Sequence, residues 1–458
     1  ANYPAIFYIN SGTPCVSLNT GTIAINGTFT IDMDMCIDHT QILLGPDAHI
    51  DIIPGIAVNT TGYTHLHTCN GNYMWQGITV NTDAALSIDH TLVEEAQQAI
   101  ICMPNATVNT ASASIFNANY KGIVFNLNGA AHTGVLQKTV FECNHQSNGT
   151  ALTLIPPFAG QNPACGIEIN TAAAIKIGNE SNSSLFPPSH QNLFRNLNLG
   201  IDLQNSQAEI VNNKFENIRR YQSNVFLSNG YCIKGANPNG LITEITVGGS
   251  NILPLKIYRS NEFENALNGI RFNNQVTCYI LNNKFNLIQG NGVIAGVAGT
   301  CISLTNHEAT YLNIANNYFD NFDIGITAGL LTDIDLNITN NYFNTTAKFA
   351  NSQATVGIRI LRTPMLNLGN SPKYIQGNII KHSHKGIFSR LAQGLTIQNN
   401  TIEFDPADIA ANAVYRYGIH IIGGGNTGYG LHNIESNWIY KTGSVFNLAD
   451  EKLAAINI

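Results

Sequence analysis

Along most of the chain, apolar and polar residues alternate in short runs, and each run breaks at asparagine, glycine or a small residue. "KGIVF", "CGIEI", "LGIDL", "NGIRF", "VGIRI" and "YGIHI" are examples. Period-two alternation in β-branched and aromatic residues predicts strands with one buried face. Almost no stretch spaces its apolar residues as a helix does, so strands are the expected element throughout.

A second pattern precedes these runs. "ILNNKFN" (280–286), "IANNYFD" (314–320) and "ITNNYFN" (338–344) repeat two asparagines, a spacer and a phenylalanine. The apolar position that ends the motif falls at Phe116, Phe141, Phe194, Phe215, Phe263, Phe285, Phe319, Phe343, Ile380, Ile402 and Ile439. A second motif follows each of the first ten: a small residue (most often Gly) or Cys, then Ile, then a short alternating run. The intervals are 25, 53, 21, 48, 22, 34, 24, 37, 22 and 37 residues, so short and long turns alternate. From the phenylalanine position to the isoleucine is 7 residues in each short turn and 15 to 26 in each long one, so one corner carries an excursion every second turn.

Strands this short, at this period, cannot each bury a face alone. They predict a coil that stacks every strand on its counterpart one turn away, an all-β parallel β-helix of roughly fourteen turns. Asparagine suits its corners, because it tolerates the left-handed region and its amide can bond the next amide in a ladder. Phe215, Phe263, Phe285, Phe319 and Phe343 are expected in one interior stack, with Asn213, Asn283, Asn317 and Asn341 at one corner. The coil is expected to be a single body over 1–458. Its turns are less regular over 1–90 and regular over 91–458.

Composition narrows the function classes. Of 458 residues only 11% are charged, the net charge is −7, and 44% are hydrophobic. A basic face for nucleic acid is not expected, and no apolar run is long enough for a membrane span. The nine cysteines contain no C-x-x-C pair, which argues against zinc and thioredoxin-like chemistry. Buried thiols are expected, with Cys165, Cys232 and Cys301 along one corner, too far apart to bridge.

The stretch "LHTCNGNYMWQGITVNTDAALSIDHTLVEEAQQAI" (66–100) places a Cys before M-W-x-G-I-x-V, then a small-residue turn, an alternating strand and an acidic E-x-A. With the later N-N-x-F and G-I-x-I repeats it resembles the secreted right-handed parallel β-helix proteins of Bacteroidota. The resemblance covers nearly the whole chain and implies a right-handed coil and a secreted or cell-surface location. It also implies a signal peptide and a sorting domain for type IX secretion, and the sequence carries neither. The start "ANYPAIFYIN" is read as a processed one.

Parallel β-helices include polysaccharide lyases and hydrolases, so carboxylates need weighing. "SIDH" (87–90) is similar to the W-I-D-H of pectate lyases, with Ser87 in place of Trp. "RTP" (362–364) is similar to their R-x-P-x-x-R, with Asn367 for the second Arg. "NTD" (81–83) is similar to polygalacturonases but lacks their other elements. A better candidate is the residue after each repeat isoleucine, which should face outward in a column: Val124, Glu168, Asp202, Lys234, Arg271, Ser303, Thr327, Arg359, Phe388 and His420. Glu168 and Asp202 would then lie one strand apart, near the separation a retaining glycosidase needs. Lys234 and Arg271 would continue the site. The plain alternative is a solvated charge ladder.

His65, His67 and Cys69 alternate on one strand face and would supply half of a metal site, though the same positions suit a stacked strand and no metal is expected. Asp333 and Asp335 would need further oxygens for calcium. No cofactor is expected. The balance favours a non-enzymatic extracellular or cell-surface β-helix with a structural, adhesive or assembly role. The alternative is a glycan-active enzyme or glycan-binding protein using a lateral groove. Two partners are expected: surface glycans, and further copies of the chain meeting through the open last turn at "EKLAAINI" or through the lateral loops.

Overall fold

The computed structural model describes residues 16–144, 153–182, 191–219, 230–237, 244–249, 257–274, 277–288, 298–307, 311–330, 335–345, 355–362, 373–392, 394–404, 416–422, 432–441 and 453–457. Among them every regular element is a strand and none is a helix. Two compact units divide the chain, Ala1–Asn213 and Lys214–Ile458. Each is a stack of parallel strands, and together they make the chain an all-β parallel β-helix.

The glycine–isoleucine runs stack on one another as predicted. In the first unit Trp75–Val80, Ala96–Cys102, Lys121–Asn126, Cys165–Asn170 and Leu199–Gln204 pair in succession, with Ile78, Ile100, Ile123, Ile167 and Ile201 in register. In the second unit the succession runs from Tyr231–Ala236 to Leu453–Asn457. Its isoleucines align from Ile233 to Ile419, and Ile456 continues the column in the strand Leu453–Asn457. Fifteen strands of this glycine–isoleucine sheet lie among the described residues, beside the roughly fourteen turns expected.

The phenylalanine positions align just as regularly, in an asparagine sheet. Val93, Phe116, Phe141 and Phe194 are register partners in the first unit. Phe215, Phe263, Phe285, Phe319, Phe343, Ile380, Ile402 and Ile439 are partners in the second. The five phenylalanines of the second unit stack with centroids 4.5 to 5.1 Å apart and planes within 10°. The spacing is that of neighbouring strands, so each ring covers the next. The ring also explains the glycine of the other motif: a Cβ at Gly325 would lie 2.6 Å from both Phe343 Cε1 and the Gly357 carbonyl oxygen.

The two asparagines of each motif have different tasks. The first makes the bend: Asn282, Asn316, Asn340 and Asn399 have φ of 57°, 57°, 54° and 55°, and Gly377 and Ser436 take the same place in other turns. The second builds the ladder. Asn283 donates its backbone N–H (2.9 Å) and Nδ2 (3.1 Å) to Asn317 Oδ1, and its Nδ2 also donates to Val247 O. The same pattern runs through Asn317, Asn341, Asn378 and Asn400 to Asn437. Asn213, expected beside them, accepts from Asn192 Nδ2 within the first unit.

Earlier turns put hydroxyls at the ladder position. Thr40, Thr64, Thr91, Ser114 and Thr139 are all buried. Thr139 Oγ1 donates to Thr110 Oγ1 at 2.7 Å, and its N–H donates to Asn192 Oδ1 where the asparagine ladder begins. Here the coil is the same, though strands merge: Met35–Leu44 pairs with both Ala57–Thr61 and His65–Thr68. The irregularity of 1–90 therefore lies in the corner chemistry and strand length, within one architecture.

The cysteines require two corrections. Cys36 is disulfide-bonded, its partner outside the described residues. Cys165 is also out of line. It is the register partner of Lys121, one residue before the glycine position that Cys232 and Cys301 occupy. Its run reads Cys-Gly-Ile where theirs read Cys-Ile, which shifts it by one. All three are free thiols, and burial raises Cys232 and Cys301 well above the ordinary thiol range.

Most of the alternating excursions fall outside the described residues. The part over 153–164 is described, and it folds back on the corner. Phe158 stacks on Tyr120 at 3.6 Å, and Leu154 packs with Met74 and Cys143.

Candidate functional site

The column after the repeat isoleucine exists in both units. In the first, Ile101, Val124, Glu168 and Asp202 are successive register partners. In the second, Lys234, Arg271, Ser303, Thr327, Arg359, Phe388 and His420 are. Val124 and Thr327 are buried despite belonging to it.

Glu168 and Asp202 lie directly opposite one another on neighbouring strands, as the spacing predicts. Their oxygens are already engaged. Lys121 Nζ lies 2.6 Å from Glu168 Oε2, and Asn170 Nδ2 donates to Oε1 at 3.2 Å. Gln204 Nε2 donates to Asp202 Oδ1 at 2.7 Å. Burial pulls Lys121 downward, but the Glu168 carboxylate outweighs it and holds the ammonium above its ordinary value. A retaining pair needs one carboxyl to protonate the leaving group and the other to attack. Both oxygens of Glu168 are engaged by its own neighbours, as in a charge ladder. Lys121 opens "KGIVF" three residues before Val124, so only the strand register reveals it as Glu168's partner.

A second polar cluster escapes the motif search. It lies on the asparagine sheet, one residue after each phenylalanine position, where Glu94, Asn117, Glu142 and Arg195 are register partners. Asn117 Nδ2 donates to Glu94 Oε1 at 2.7 Å, Asn144 Nδ2 to Glu142 Oε2 at 2.7 Å, and Arg195 Nε to the same Glu142 oxygen. Asn196 donates to Asn144 Oδ1. Both carboxylates are satisfied from within. Their signal in the sequence is the position after the repeat phenylalanine, as that of Glu168 and Asp202 is the position after the repeat isoleucine.

His65 and His67 share a face with their rings stacked 4.2 Å apart. Each has a different partner: His65 Nε2 meets Glu94 Oε2 at 2.7 Å, and His67 Nε2 meets Gln41 Nε2 at 2.8 Å. Burial and the neighbouring His65 lower His67. Cys69 lies beyond the end of the strand His65–Thr68 and is exposed. Among the described residues no three such side chains converge to hold a metal ion.

The lyase-like "SIDH" has a structural origin. "IDHT" occurs twice, at 37–40 and 88–91. In both, the histidine makes the left-handed bend (His39 φ 48°, His90 φ 45°) and the threonine is buried at the ladder position. Asp38 and Asp89 each lie 2.9 Å from the histidine that follows. In "NTD", Asn81 Nδ2 donates to Asp51 Oδ1 and Ile52 O, and Asp83 is another bend at φ 61°. Asp335 faces outward beside Tyr311, while Asp333 and the "TP" of "RTP" lie outside the described residues. No described helix is long and apolar enough to cross a membrane.

No protein-family model matches the chain, and no curated protein matches it.

Proposed function

We propose that the chain is a non-enzymatic extracellular or cell-surface β-helix with a structural, adhesive or assembly role. One observation carries this reading: the carboxylates best placed for catalysis are held by their own neighbours, Glu168 by Lys121 and Asn170, and Asp202 by Gln204. The long asparagine ladder suits a durable structural protein equally well. A disulfide at Cys36 supports an oxidising compartment, in keeping with an extracellular or cell-surface location. Incubation with a panel of neutral and acidic polysaccharides should release no new reducing ends or unsaturated products. Product formation abolished by Glu168→Gln would overturn the reading.

A second reading, glycan recognition by a lateral face, is favoured by the outer asparagine sheet of the second unit. Tyr318 stacks on Tyr342 at 5.1 Å, and Tyr318, Ile379, Trp438 and Tyr440 are exposed. Aromatic side chains of this kind suit sugar faces and self-association alike.

A further inference from the structure

We propose that the outer glycine–isoleucine sheet of the second unit binds an acidic polysaccharide, one carrying carboxylate or sulfate groups. The first observation is compositional. The strands Tyr231–Ala236, Asn268–Asn273, Thr300–His307, Ile324–Leu330, Val356–Arg362, Lys385–Arg390, Arg416–Ile422 and Leu453–Asn457 contain no Asp or Glu. They carry Lys234, Arg271, Arg359, Lys385 and Arg390, in a chain whose net charge is −7. Cations are concentrated on this sheet against the overall balance.

The second observation is geometric. Arg359, Phe388 and His420 are consecutive register partners, and Lys385 and Tyr417 pair beside them. Lys385 Nζ lies over the Phe388 ring at 4.6 Å and the Tyr417 ring at 5.9 Å. His420 stacks on Tyr417 at 4.2 Å and tilts against Phe388 at 5.3 Å. Arg359 Nε donates to the neutral Thr327 Oγ1, and Arg271 to the neutral Tyr231 hydroxyl. The His420 Nδ1 atom is buried without a hydrogen-bond partner. Among the described residues no carboxylate pairs with Arg271, Arg359, Lys385 or Arg390, whereas Lys121, Lys176, Lys214, Lys284 and Lys381 each have one. Burial accordingly depresses Lys385 and Arg359, and burial together with Lys385 depresses His420.

Partly desolvated cations packed on aromatic rings without counter-charges are stabilised by an incoming anion. The identity of that anion follows from spacing and shape. Arg271 and Arg359 are three strands apart, about 14 Å, far sparser than the one charge per roughly 1.7 Å of duplex nucleic acid. A sugar polymer, whose charges are set apart by its rings, is a closer match, and its C–H faces suit Phe388 and Tyr417. A second copy of the chain is a poorer match. The acids on the equivalent sheet of the first unit already have donors: Asp51 from Asn81, Glu168 from Lys121 and Asp202 from Gln204. This rests on the second reading, glycan recognition by a lateral face, and narrows it to a charged polymer on a different sheet.

The test is binding of the full chain to polygalacturonate, heparin, neutral dextran and a DNA duplex, by calorimetry at low and high salt. Polygalacturonate or heparin should bind, more weakly at high salt, and the stronger of the two identifies the recognised group. Dextran should not bind. The double variant Arg359→Gln/Lys385→Gln should lose about tenfold or more in affinity, while Lys176→Gln, on another sheet, should not. Should the double variant fail to melt cooperatively, the exposed Arg390→Gln replaces it, with a smaller loss in the same direction. Equal binding of dextran, preference for DNA, or affinity unchanged in the variants would overturn the proposal. So would a dimer by light scattering that the double variant dissociates, in the absence of polymer binding.

Discussion

Asn317 shows what a single ladder residue does. Its Oδ1 accepts the backbone N–H and the Nδ2 of Asn283, while its own Nδ2 donates to Ile280 O and to Asn341 Oδ1. The residue is 1% exposed, so no water replaces a lost partner. Asn317→Asp keeps the shape and the acceptor but removes both donors, leaving a carboxyl against two oxygens. Asn317→Ala leaves the two donors of Asn283 unmet. Since each unsatisfied buried group costs about 1–3 kcal/mol, either variant should lose about 2–5 kcal/mol in urea unfolding. Asn316→Gly should change stability little, because that position needs only φ of 57°. The double asparagine was legible as a corner from sequence. The division of labour was not, because both tasks select the same residue type.

At the scale of strands and corners, the phenylalanine and isoleucine registers were legible because apolar residues recur at fixed intervals. The column of buried hydroxyls was hidden: threonine is common in strands for other reasons, so Thr64, Thr91 and Thr139 do not stand out. The engaged state of Glu168 was hidden too, since Lys121 precedes it by 47 positions and meets it only through register. His132 is another case in which only the fold reveals the constraint. Its Nε2 accepts the Val108 N–H at 3.2 Å, its ring lies 4.7 Å from Phe125, and its Nδ1 has no partner. Burial pushes its pKa from 6.5 to about 4. The folded state therefore binds fewer protons than the unfolded state between these values. His132 contributes fully above pH 6.5, and stability is lost as pH falls towards 4, by up to about 3 kcal/mol. Urea unfolding across this range should show that slope in the parent chain. In His132→Asn the slope should be shallower by that amount; equal slopes would refute the assignment.

For the molecule as a whole, a coil whose turns touch only their neighbours has stability that adds along its length. The interior stack of the second unit tests this directly. Phe319 is fully buried, 4.9 Å from Phe285 on one side and 4.5 Å from Phe343 on the other, with Phe322 at 6.2 Å across the core. Phe319→Ala should cost about 3–5 kcal/mol, less whatever the cavity recovers by collapse. Neighbouring rings cannot close the gap readily, because each is fixed by its own strand. The backbone ladders on either side remain intact, so the loss should appear as local opening before global unfolding. Hydrogen exchange should quicken most in Tyr318–Phe322, less in Lys284–Ile288 and Tyr342–Asn344, and scarcely at Lys214 or Trp438 in the same sheet. A uniform gain in exchange across the second unit would mean that its turns unfold as one cooperative block, and the additive picture would fail.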